Sequence, residues 1–217
     1  MGGLAARAAG PPIAVSGQPC SPSIYLNTLS HEELFLYSIA GGPAWPGACT
    51  CILKTQLVRH GRPTAWCAQY DEVSLLPAKT RAFELPSLSG DESVGIVRFL
   101  MDTEQPSAEV KAAVDGAWFE QVKMPGYSLK EIPAPQEPRG IDRVIVAQPG
   151  ATLWARFYEL DTNRPIYVGR DSQVHYQLRE IENERRAGYL YAGIWPAELL
   201  AVEYPAWVKR VGSEAHN

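Results

Sequence analysis

The chain has 217 residues, 46% of them hydrophobic and 20% charged, with a formal net charge of −4. Those proportions suit one globular domain, or part of a larger one, with a sizeable core. They exclude the overall basic field that gathers nucleic acid and leave a local cationic cluster as the route to any polyanionic ligand.

Cys20, Cys49, Cys51 and Cys67 form no C-x-x-C pair, so a zinc site is not expected. They are too few for a disulfide scaffold. One bridge is open, and buried free thiols are the favoured reading. No apolar run approaches the roughly 20 residues of a membrane span. Met1 to Ser16 lacks a compact apolar stretch and makes a poor signal peptide.

Residues 1–48, rich in Gly, Pro, Ala and Ser, read as a divergent or poorly ordered N-terminal segment. Within it, His31 to Ile39 has the composition of a short helix. Gly41-Gly42-Pro43 and Trp45-Pro46-Gly47 read as breaks. The character changes at Cys49, and residues 49–217 read as the domain proper. Ile52, Leu53, Gln56 and Leu57 share a helical face. Gly61-Arg62-Pro63 is a turn, and Thr64 to Ala68 is a short strand or buried loop. Ser89-Gly90-Asp91-Glu92 opens a helix to about Met101, with acids at its positive end. Pro106-Ser107 starts another, whose Val110, Val114, Trp118 and Val122 form a core stripe. Prolines make residues 124–140 an irregular connection. Val144 to Ala147, Thr152 to Tyr158 and Pro165 to Val168 are predicted strands, with turns at Pro149-Gly150 and Asp161-Thr162-Asn163. Helices over about Leu178 to Arg186 and Pro196 to Val202 close the chain. The expected architecture is mainly α, with a small irregular β-sheet.

Three ordered stretches then point further. The first is Cys51-Ile-Leu-Lys-Thr-Gln56 followed by Thr64-Ala-Trp-Cys-Ala-Gln69. The second is Arg81-Ala-Phe-Glu-Leu-Pro-Ser-Leu-Ser-Gly90 running into Glu92-Ser-Val-Gly-Ile-Val-Arg98. The third is Thr162-Asn-Arg-Pro-Ile-Tyr-Val-Gly-Arg-Asp171, followed by Glu180-Ile-Glu-Asn-Glu-Arg-Arg186 and Gly188-Tyr189. Together the chain resembles the C-terminal part of the catalytic module of family 10 pectate lyases. The resemblance implies a partial (α/α) toroid-like catalytic domain with a substrate groove. It also implies secretion and Ca²⁺-assisted cleavage of polygalacturonate by β-elimination.

That reaction removes the C5 proton of a galacturonate unit and expels the O4 glycosidic bond. The neighbouring C6 carboxylate makes C5 a poor acid, because the new carbanion adds charge beside existing charge. Cations must neutralise it. The resemblance places an arginine base at Arg81. A guanidinium serves as base only where burial and neighbouring cations lower its pKa; the competing reading is a loop salt bridge. Arg156, Arg170 and Arg185 fall where the family holds substrate carboxylates or supports its groove.

Between Lys130 and Lys209 there is no lysine and there are eight arginines. Arginine's planar fork suits a uronate polymer, although codon bias in a GC-rich genome explains the count as well. Arg185 has its own competing reading, a solvated pair with Glu182 on one helix. Trp66, Trp154, Trp195 and Tyr189 can stack on sugar rings, but aromatics are more often core. His31, His60, His175 and His216 lack metal-ligand spacing and read as surface residues. Ser87, Ser89 and Ser93 form no nucleophile elbow.

Two departures from the family matter. Its Ca²⁺ ligands come from acidic motifs resembling D-N-G-A-T and N-D-D, which are absent here, so no metal ligand is assigned. Tyr70 stands where the family has histidine. The expectation is a chain whose N-terminal part is missing or replaced and which alone shows little activity. The alternative is a non-catalytic remnant that at most binds polygalacturonate.

Overall fold

The computed structural model describes residues 45–59, 61–71, 73–79 and 81–214. The readings for residues 31–39 and for Cys20, His31, His60 and His216 lie outside the described residues.

In chain order the elements are α1 (Trp45–Thr55), β1 (Val58–Arg59), β2 (Arg62–Pro63), β3 (Leu88–Ser89), α2 (Glu92–Met101), α3 (Ala108–Asp115) and α4 (Phe119–Val122). Then come β4 (Met124–Pro133), β5 (Ile141–Ala155), β6 (Phe157–Tyr158), β7 (Pro165–Val168) and β8 (Val174–His175). A 3-10 turn (Leu178–Glu180), α5 (Asn183–Gly188), β9 (Ala192–Gly193), α6 (Pro196–Glu198), a π-helical turn (Leu199–Glu203) and α7 (Tyr204–Glu214) complete the chain.

This corrects the mainly α, toroid-like expectation. The structure is mixed, about 34% helix and 27% strand, with several antiparallel sheets. β1 pairs with β2, a second sheet runs β3-β6-β7-β8, and a third runs β4-β5-β9. The misread segment is 124–140. Its prolines suggested irregular chain, but Pro125 and Pro133 lie in β4, the edge strand of its sheet. An edge strand tolerates a missing N–H donor. The expected Pro149-Gly150 turn is instead an irregularity inside β5, where the register shifts opposite Pro125 and Tyr127. Gly126 and Gly150 supply the positive φ there, +80° and +83°.

The helices follow the sequence more closely. Trp45-Pro46-Gly47 opens α1 rather than breaking the chain, because proline is tolerated in a first turn. Ser107 caps α3, its side chain accepting from Val110 N–H at 3.3 Å. Val110, Val114, Trp118 and Val122 are all buried, as their spacing predicted. The helix nevertheless breaks into α3 and α4. Gly116 packs so close to Pro63 that an added Cβ would lie 2.7 Å from its ring.

Thr64 to Ala68 is a buried loop. Trp66 donates from Nε1 to Ile52 O at 2.8 Å, and its backbone N–H donates to Ser93 Oγ at 3.0 Å. Trp154 is equally buried and donates to Phe119 O at 2.8 Å. Both are core tryptophans rather than sugar platforms. Cys49 and Cys67 are free, whereas Cys51 is disulfide-bonded, contrary to the favoured reading of free thiols throughout. Burial pushes the Cys67 thiol up to about 12. A second, smaller core of Phe157, Ile166, Tyr167, Leu178, Ile181 and Tyr191 lies under the segments that carry the arginines.

Candidate active site

Arg156 occupies the single residue between β5 and β6. Its backbone N–H donates to Tyr191 O at 2.8 Å, and its own carbonyl accepts from Gly90 N–H at 2.8 Å. Gly90 is needed for that approach, because a Cβ there would lie 2.2 Å from Ala155 O. The close contact brings the start of α2 against Arg156. Ser89 Oγ accepts from Asp91 and Glu92 N–H at 3.2 and 3.0 Å and so closes the helix end. Arg156 then pairs with Asp91 at 2.7 Å and with Glu92.

Burial raises the Asp91 carboxyl to about 6, against the pull of Arg156, and Glu92 adds to the rise. Burial works to lower the Arg156 pKa. The charges of Glu92, Tyr189 and Asp91 outweigh it and hold the guanidinium above its ordinary value. Two rings pack on the same cation, Tyr189 at 5.0 Å and Trp195 at 6.0 Å from ring centre. Gly193 leaves room for Trp195, since a Cβ there would sit 2.7 Å from the indole. Of the aromatic candidates, Trp195 and Tyr189 are the half-buried pair beside the arginines.

Arg81 lies in the loop before β3. Its Nε donates to Glu84 Oε2 at 3.0 Å, and Nη2 lies 2.9 Å from Oε1. Glu84's hydrogen bond and charge push the Arg81 pKa up, and burial and the Arg156 charge oppose this without reversing it. The lowered pKa expected of a guanidine base is therefore not found, and Arg81 makes the loop salt bridge of the competing reading. Phe83, two residues on, contacts the remaining arginines. Its ring centre is 4.8 Å from the Arg170 guanidinium and 4.6 Å from that of Arg185. The structure thus gathers Arg81, Arg156, Arg170 and Arg185 around Phe83 and Tyr189.

Arg170 follows β7. Its N–H donates to both oxygens of Glu182, at 3.2 and 3.0 Å. Gly169 admits that carboxylate, because a Cβ would lie 2.5 Å from Glu182 Oε2. The Arg170 side chain makes a bidentate pair with Glu184 at 2.9 and 2.6 Å. Arg185 differs from the other three. Its Nη2 donates to Tyr191 Oη at 2.8 Å, the rings of Phe83, Tyr189 and Tyr191 pack on its guanidinium, and its buried Nε has no hydrogen-bond partner among the described residues. The pair with Glu182 that was the competing reading for Arg185 is not made; Glu182 holds the Arg170 backbone instead.

Sequence reasoning passed over Phe83, Glu84 and Tyr191. The first two stand inside the matched run that begins at Arg81, so the signal was present but read only for its base. Tyr191 had no comparable signal. Tyr70 is turned inward, its hydroxyl accepting from Cys67 N–H at 2.6 Å, and burial strongly raises its pKa. His175 is half-buried and pairs with Asp171 at 2.8 Å.

Residues 43–200 match the family model described as pectic acid lyase. The chain belongs to the pectic acid lyase family. Among solved structures this pectic acid lyase family member is similar to a family 10 polysaccharide lyase from Cellvibrio cellulosa. The two are 30% identical with a TM-score of 0.68, over 84% of this chain and 59% of that chain. A mutant of that lyase in complex with trigalacturonic acid matches equally, at 30% identity and a TM-score of 0.68. The chain therefore spans about three fifths of the length of these relatives. No curated protein matches it.

Proposed function

We propose that the arginine cluster binds galacturonate carboxylates and that the chain acts on polygalacturonate as a pectate lyase, with Arg81 as the base. The observation that carries this reading is the convergence of Arg81, Arg156, Arg170 and Arg185 around Phe83 and Tyr189. A uronate polymer needs several forked cations at sugar spacing. The related lyase bound to trigalacturonic acid supports the substrate class.

In the elimination, a neutral Arg81 guanidine takes the C5 hydrogen as a proton. The C–H electron pair becomes the C4=C5 double bond, the C4–O4 bond breaks, and the leaving oxygen takes a proton from solvent. Neutral guanidine is scarce beside Glu84, so the rate rises toward alkaline pH. Arg156, Arg170 and Arg185 hold the carboxylates and offset the charge that develops at C5 and C6. Trp195, half-buried beside Arg156, offers a face for a sugar ring, whereas the Tyr189 ring is packed by Arg156, Arg185 and Phe157.

Ca²⁺ belongs to the reading through the family resemblance. Among the described residues there is no group of three or more His, Cys, Asp and Glu side chains that could hold a metal ion. Those residues do not fit a Ca²⁺ cage. This observation favours one second reading, a protein that binds polygalacturonate without cleaving it. Secretion enters the reading through membership of the pectic acid lyase family.

The deciding experiment follows ultraviolet absorbance of unsaturated uronate with polygalacturonate at alkaline pH. The lyase reading expects turnover that Arg81→Ala abolishes. Binding without turnover leaves the second reading, and turnover indifferent to Arg81→Ala removes the base.

A further inference from the structure

The pair formed by Arg81 and Glu84 is lopsided. The Glu84 side chain is 6% exposed and the Arg81 side chain 69%. A surface ion pair of two mobile ends contributes little and fixes little. Here the carboxylate is anchored inside and the guanidinium projects from it. Glu84 N–H donates to Arg81 O at 3.0 Å, which closes a tight turn and sets the two side chains on one side. The carboxylate grips one edge of the fork, Nε to Oε2 at 3.0 Å and Nη2 to Oε1 at 2.9 Å. Nη1 makes no hydrogen bond among the described residues. The Glu84 charge also contributes to the raised pKa of the Tyr189 and Tyr191 phenols.

We propose that Glu84 is the positioning residue of the base: its buried carboxylate locks the Nε–Nη2 edge of Arg81 and reserves Nη1 as the nitrogen that meets the C5 proton. The proposal rests on the lyase reading above. A bidentate grip removes rotation about the last bonds of a long side chain, and orientation of that kind is worth much of a barrier. Glu84 also raises the Arg81 pKa. The neutral guanidine is therefore rarer but a stronger acceptor once formed, as suits a carbon acid of low acidity.

The test uses the full chain with Glu84→Gln, Arg81→Ala and the double variant, all checked by thermal unfolding. Nitrogen NMR of the Arg81 guanidinium reads the clamp without any need for turnover. Distinct, slowly exchanging Nη1 and Nη2 signals are expected in the parent and averaged signals in Glu84→Gln. In the elimination assay, Glu84→Gln should lower kcat on the order of a hundredfold, with KM and trigalacturonate affinity nearly unchanged. Its alkaline limb should move to lower pH, because the charge that raised the Arg81 pKa is gone. In the Arg81→Ala background the same change should do nothing further. Averaged NMR signals in the parent, an unmoved pH limb, or parallel losses in kcat and affinity would overturn the proposal. An intact clamp in a parent that binds trigalacturonate without turnover would overturn the lyase reading and reduce Glu84 to a structural partner.

Discussion

Arg185 hands a hydrogen bond from Nη2 to the hydroxyl of Tyr191 at 2.8 Å, and that hydroxyl in turn donates to Val168 O at 2.5 Å. The relay fixes Arg185 against the end of β7, two residues before Arg170. The other three arginines of the cluster are neutralised by Glu84, by Asp91 and Glu92, and by Glu184. Arg185 has no carboxylate within 4.0 Å among the described residues, so an incoming carboxylate meets no competitor there. Arg185→Ala should weaken trigalacturonate binding by about 10- to 100-fold, the worth of one or two hydrogen bonds to a charged group. Titration calorimetry measures it, and an unchanged affinity would remove Arg185 from the binding surface.

Tyr191→Phe isolates the relay. It keeps the ring that packs on Phe157, Tyr167 and Tyr189 but leaves Val168 O without its donor. The expected cost in stability is about 1–3 kcal/mol, the penalty of an unsatisfied buried acceptor. Affinity should fall less than in Arg185→Ala. Denaturant unfolding and the same titration separate the two effects.

Asp91 gives a pH signature. Its carboxyl titrates at about 6 in the folded chain against an ordinary value of 3.8. The folded state holds this proton more tightly than the unfolded state. The contribution therefore favours folding below about pH 4 and is lost as pH rises through about 6. Asp91→Asn should flatten the stability–pH curve between those values. A curve of unchanged shape would show that Asp91 ionises normally.

Gly90→Ala probes the backbone contact under Arg156. The new methyl would sit 2.2 Å from Ala155 O and 3.0 Å from the Tyr158 ring, both parts of the core. Such overpacking costs about 1–3 kcal/mol. The displaced Asp91 and Glu92 should also loosen Arg156. Unfolding in denaturant that matches the parent would mean the corner moves freely.

Much of this was legible in the sequence where one local signal decided the outcome. Ser107, the stripe from Val110 to Val122 and the acids opening α2 each announced themselves by side-chain chemistry and spacing. Strand β5 was partly legible, since Val144 to Ala147 and Thr152 to Ala155 lie in it, but β4 was not, because Pro125 and Pro133 suppressed a strand reading that only its position at a sheet edge permits. The family-matched arginines were found as residues, but their environment was hidden. Whether Arg156 faces Asp91 depends on a Gly90 contact with residues more than sixty positions away. That contact is a property of the fold rather than of any window of sequence.

Arginine fork recognition is the core of the account, so substrate charge is the variable to change. Isothermal titration of the chain with trigalacturonic acid, set beside its fully methyl-esterified form, tests it directly. The account predicts saturable binding of the acid that weakens with added salt, survives a chelator of divalent cations and disappears on esterification. Equal binding of the two ligands, or no binding of the acid, would contradict it.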